Sequence, residues 1–141
     1  MTSDAAMSSI EQAVRAVVRA VGQRHAGSPE DCASELDAAC VALTGCPPAT
    51  AVEAPLERLL GDLRHDERLD ALRVTTLAHV LAERAAALER EGDGARAVGM
   101  YERALRLYDE ATAAGVDPSS QATIDAQVRW ILKRLPAGSR A

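Results

Sequence analysis

Apolar residues recur every three to four positions along almost the whole chain, and Gly, Pro and capping residues divide that pattern into about six helical stretches. The first is predicted from about Ser8 to His25, with Ile10, Val14, Val17, Val18 and Val21 on its apolar side and Gly27 as its stop. Ser28, Pro29, Glu30 and Asp31 then read as an N-cap, a first-turn proline and two acids that suit the positive end of the helix dipole. The second helix carries Cys32, Leu36, Ala39, Cys40 and Leu43 and ends near Gly45, because Cys46-Pro47-Pro48 cannot continue it. Thr50-x-x-Glu53 resembles a capping box, whereas Pro55 fits better as the first residue of a helix starting one step later. Either start leads into a short helix with Leu56, Leu59, Leu60 and Leu63 inside.

A break around His65-Asp66 precedes the longest stretch, about Glu67 to Glu91, whose stripe is Val74, Leu77, Leu81, Ala85 and Leu88. Gly92-Asp93-Gly94 turns the chain into a fifth helix, about Ala95 to Ala114, that buries Ala97, Met100, Tyr101, Ala104, Leu105, Leu107 and Tyr108. Gly115 ends it, and Asp117-Pro118 opens a sixth with Ile124, Val128, Ile131 and Leu135 as its stripe and Trp130 beside it. Connections this short make sequential helices antiparallel neighbours. The expectation is one all-helical domain over residues 8–135, with flexible ends at 1–7 and 136–141.

Composition agrees with that pattern. Aromatics are 2 % of the 141 residues and Phe is absent, too few to fill a β-sandwich, while Ala, Leu, Arg and Glu dominate and favour helix. With 16 basic against 21 acidic residues the net charge is -5, which lacks the basic footprint of a nucleic-acid binder. No apolar run approaches the roughly 20 residues of a membrane helix. Met1 to Ile10 carry Asp4 and no Lys or Arg, unlike a secretory signal, so a cytoplasmic location is expected, with neither nucleic acid nor membrane as partner.

One segment is self-similar. In Gly92 to Leu105 a turn glycine is followed by Ala97, Tyr101 and Ala104, a spacing of small, large aromatic and small residues that lets two helices approach closely with the ring between them. This resembles the second half of a tetratricopeptide repeat. Counting back through the same frame places Leu81, Arg84, Ala85 and Leu88 where that family favours Trp, Leu, Gly and Tyr. A weaker copy occurs at Gly27, Cys32, Leu36 and Ala39, 65 residues upstream of Gly92, Ala97, Tyr101 and Ala104. The resemblance implies degenerate tetratricopeptide-like hairpins in a right-handed layered arrangement, with a terminal helix as cap. Along most of its length the chain is also similar to a family of small uncharacterised bacterial all-helical proteins with such a hairpin near the C-terminus. That likeness implies a shape and no activity.

Candidate chemistry is sparse. His25, His65 and His79 include no Glu-x-x-His and no H-E-x-x-H, so Asp62/His65 and His79/Glu83 read as surface pairs on polar helix faces. Cys32, Cys40 and Cys46 form no C-x-x-C and match no zinc spacing; without an export signal they read as reduced, small hydrophobes. A Cys32 nucleophile would have His25 as its sequence-near base. The glycines form neither a P-loop nor a G-x-G-x-x-G after a strand, and no nucleophile elbow occurs. No metal, cofactor or catalytic residue is therefore expected, and the chain is read as a non-enzyme.

Arg84 interrupts the stripe Leu77, Leu81, Leu88 where a leucine would be periodic, so its charge must snorkel or be paired. Glu102 and Asp109 on the next helix are the expected acids, with an anchor for a partner's carboxylate as the functional alternative. The leading function is a binding module whose groove for a protein or peptide is set by the repeat frame at His79, Ala82, Ala86, Glu89 and Arg90. The candidate partner-binding residues are His79, Glu83, Arg84, Glu89 and Arg90. A self-associating structural protein, burying an apolar stripe and Trp130 in a homodimer, is the alternative.

Overall fold

The computed structural model describes residues 2–23, 29–65 and 67–136. His25, Gly27 and residues 137–141 lie outside these, as do the side chains of Cys32 and His65. The described residues form seven helices: α1 (Thr2–Gln23), α2 (Pro29–Thr44), α3 (Pro48–Glu53), α4 (Leu56–Asp62), α5 (Ala71–Arg90), α6 (Gly94–Ala114) and α7 (Pro118–Arg134). None is long and apolar enough to cross a membrane.

Several boundaries differ from the sequence pattern for local reasons. Helix α1 starts at Thr2, ahead of the expected Ser8, since Ala5, Ala6 and Met7 are good helix formers. Thr50 caps nothing: α3 begins at Pro48 behind Pro47, and Pro55 is the N-cap of α4 rather than its first residue. Two short helices therefore replace the expected one. The break before α5 holds a small antiparallel pair, β1 (Arg64–His65) and β2 (Arg68–Leu69), with Arg64 opposite Leu69 and His65 opposite Arg68. Glu67 bends the chain between them at φ 67°. Helix α5 then starts at Ala71 rather than Glu67, because the Asp70 carboxylate accepts from the backbone N–H groups of Leu72 and Arg73 at 3.1 and 3.3 Å.

The later caps follow the sequence. Asp93 accepts from the Arg96 N–H and opens α6, Gly115 at φ 99° closes it, and Asp117 accepts from the Ser120 N–H to open α7. Helix α5 is the centre of the molecule. Its widest contact is with α6, followed by α2 and α1, and it is buried on nearly every side from Val74 to Leu88. Helix α6 buries Ala97, Met100, Tyr101, Ala104, Leu107 and Tyr108, and α7 buries Ile124 and Ile131.

The exception is α1. Ala13, Ala16 and Ala20 face the core with Ile10, while Val14 and Val21 are each 42 % exposed and Val18 is 65 % exposed. At about 100° per residue the valine stripe lies roughly a third of a turn from the alanine face. The expected apolar side of this helix is therefore corrected. The smaller side chains go in because they let α1 lie closely against its neighbours α2 and α5.

Candidate functional site

The five residues expected to meet a partner do not share an open groove. Glu83 is 1 % exposed, and Ala82 and Ala86 are buried with it, because α5 is enclosed by its neighbours. The groove expected along α5 is filled by the protein itself. Arg90 is exposed at the end of the helix, and His79, Arg84 and Glu89 point into three different contacts.

His79 sits under a hydrogen bond between its Nδ1 and the Tyr108 hydroxyl at 2.5 Å, with the two rings edge to face at 5.3 Å. Burial lowers its pKa from 6.5 to about 4, since a charged imidazolium is costly where water is excluded. The ring is neutral at pH 7 and joins α5 to α6. The expected surface pair of His79 with Glu83 is therefore not what holds it.

Arg84 has a different partner from either acid expected. Its Nε donates to Asp37 on α2 at 2.9 Å, and its Nη1 lies 4.0 Å from Glu91, too far for a hydrogen bond. The side chain is 15 % exposed. The residue faces α2 rather than Glu102 or Asp109 of α6. The sequence frame treated α5 and α6 as an isolated hairpin, whereas α2 covers this side of α5.

Glu89 belongs to a network that ties three helices. It accepts a short hydrogen bond from the Tyr101 hydroxyl and one of 2.8 Å from Arg134 Nε, which also donates to the Tyr101 oxygen at 3.1 Å. The Arg134 guanidinium stands 4.6 Å from the centre of the Trp130 ring, and Trp130 meets Tyr101 edge to face at 5.8 Å. Burial, together with the hydrogen bond to the Glu89 carboxylate, holds the Tyr101 hydroxyl protonated far above its usual range. Trp130 is thus built into the packing of α7 on α6.

Cys40 is not an activated nucleophile. Cys40 is buried, and desolvation pushes its thiol up to about 12. Thr44 bridges the end of α2, donating to the Cys40 carbonyl at 2.8 Å and accepting from the Cys46 N–H at 3.3 Å. Among the described residues no group of His, Cys, Asp and Glu is arranged to hold a metal ion.

What the sequence reading missed is the face beside α1. A groove of about 590 Å³ runs between α1 and α2, with Val14 and Val18 on one wall, Ala38 on the other, and Arg15, Arg19 and Glu35 along its border. Val41 of α2 is also exposed, at 46 %, but does not line this groove. A second groove, about 450 Å³, lies on the other side of α1, between Val17, Val21, His79 and the Ala122–Ala126 face of α7. The run of valines in α1 was the available signal, and reading it as core concealed it. Comparison with family models, with curated proteins and with solved structures finds no match to this chain.

Proposed function

We propose that this protein is a helical interaction module, without catalytic activity, that binds a protein partner. The observation that carries the reading is the exposed pair Val14 and Val18 on the wall of the groove between α1 and α2. Val14 and Val18 stand in water side by side, whereas most large apolar side chains of the other helices are buried or partly buried. The buried His79 and the raised Cys40 thiol favour a packing role for both over catalysis. In this reading α5 and α6 form an antiparallel tetratricopeptide-like hairpin. Buried Ala97, Tyr101 and Ala104 and the left-handed Gly92 at φ 87° support that assignment. The partner surface, however, moves from α5 to α1 and α2.

Placing a photo-crosslinking amino acid at Val18 and, separately, at Arg90 tests this in the source cells. Crosslinks to protein from Val18 and none from Arg90 are expected. Crosslinks from Arg90 alone would return the partner to the end of α5. None from either position would defeat the binding function.

A further inference from the structure

The charge of the α1–α2 groove constrains what can occupy it. Helix α1 supplies its bases, Arg15 and Arg19, and α2 supplies its acid, Glu35, with Arg19 and Glu35 already paired across it. Helix α1 also supplies the larger apolar side chains, Val14 and Val18, where α2 supplies the small Ala38. The α1 wall is therefore basic and the α2 wall acidic, so the two are complementary in charge. A surface with that property matches itself under a two-fold rotation, which is the requirement for an isologous contact between identical chains.

We propose that the α1–α2 groove binds the same groove of a second copy of this chain, about a two-fold axis running along the groove. Rotation about that axis lays α1 of each copy over α2 of the other, so that Val18 enters the space above Ala38 and Arg19 meets Glu35 of the second copy. The alternative rotation, setting α1 on α1, would bring Arg15 and Arg19 against their own copies and is disfavoured by like-charge repulsion. The chosen arrangement puts two α1 and two α2 helices in one four-helix contact, with Val14, Val18 and Ala38 as its dry seam. The intrachain ion pair of Arg19 and Glu35 is solvent-exposed, so sharing it between copies costs little. The inference rests on reading this face as an interaction surface, and it names the partner.

Light scattering on a sizing column, with Val18→Glu, Ala38→Glu and Ala122→Glu beside the parent chain, tests it. The parent is expected at twice 14.9 kDa when loaded at about 100 μM, a concentration that populates even a weak interface of this kind. Val18→Glu and Ala38→Glu, on opposite walls, should each weaken the dimer about tenfold or more, since a carboxylate in the seam loses its water without a partner. Ala122→Glu, on the α7 wall of the second groove, should leave it unchanged. Circular dichroism confirms that each variant is folded; if one is not, the variant on the opposite wall still decides. A monomeric parent overturns the second copy as occupant, and leaves the crosslinking at Val18 to decide whether the face binds another protein. A dimer that survives both groove variants overturns the inference, and the crosslinking at Val18 again decides whether this face binds another protein. A dimer broken by Ala122→Glu as well would place the contact on the α1–α7 side and overturn the two-fold pairing of α1 with α2.

Discussion

A single substitution separates two kinds of charged residue in this fold. Arg84 is paired with an acid that is itself 44 % exposed, and its Nη1 makes no hydrogen bond among the described residues. Replacing Arg84 with Leu removes a partly desolvated charge and restores the apolar period of α5. Urea unfolding should find that variant within about 1 kcal/mol of the parent, or more stable. Asp37→Ala leaves the guanidinium beside α2 without its acid and should cost about 1 kcal/mol, reduced from the fully buried case because water reaches the carboxylate. A loss above about 3 kcal/mol for Arg84→Leu would mean that the arginine holds more than this pair. His79 gives a pH signature instead. Its pKa is about 4 when folded and near 6.5 when unfolded, so the unfolded chain takes up the proton first. The contribution is complete above pH 6.5 and is lost as pH falls toward 4, amounting to at most about 3 kcal/mol. Stability of His79→Gln should fall less than that of the parent across this window, and parallel curves would show the ring to be solvated in the folded protein. The interruption at Arg84 was legible in the sequence, but not its partner. Periodicity locates a residue on its own helix and carries no information about which neighbour covers that side.

At the scale of elements, the strongest sequence signals were the ones backed by local chemistry. Asp93 and Asp117 cap the helices they precede, and Gly115 takes the left-handed turn that ends α6, because each acts within four residues of itself. Thr50 failed as a cap because Pro47-Pro48 starts the helix earlier, a competition between two local signals that the sequence did not rank. The α1 face failed for a different reason. Hydrophobicity picks the valines, but close approach of helices picks the alanines, and the second effect decided which side went in. In α6 both criteria agree, since Ala97 and Ala104 are buried with Tyr101 between them in sequence. Enlarging Ala97 or Ala104 to Leu should therefore overpack this helix and cost about 1–3 kcal/mol, seen as a lower melting temperature. Melts within a degree of the parent for both would show that these alanines do not set the packing distance.

Across the whole molecule, burial is graded outward from α5. That helix is covered by α1, α2 and α6, whereas α7 buries Ile124 and Ile131 and makes its main contact with α6. Two features hold α7 at its C-terminal end: Ile131 in the core, and Arg134, which reaches Glu89 and Tyr101 and stacks on Trp130. Few buried contacts and an exposed polar face make α7 the element expected to open without the rest. Amide hydrogen exchange should find the slowest protons in α5 and α6 and appreciably faster ones along α7. Arg134 and Glu89 are 38 % and 31 % exposed, so solvent screening limits their pairing to about 0.5–1 kcal/mol. Arg134→Ala should accordingly speed exchange in α7 by about two- to fivefold while leaving α5 unchanged. If α5 and α7 instead exchange together, and the substitution accelerates both equally, α7 opens only when the whole molecule unfolds. The Glu89–Tyr101–Arg134 network would then be part of the global core rather than a latch on its outermost helix.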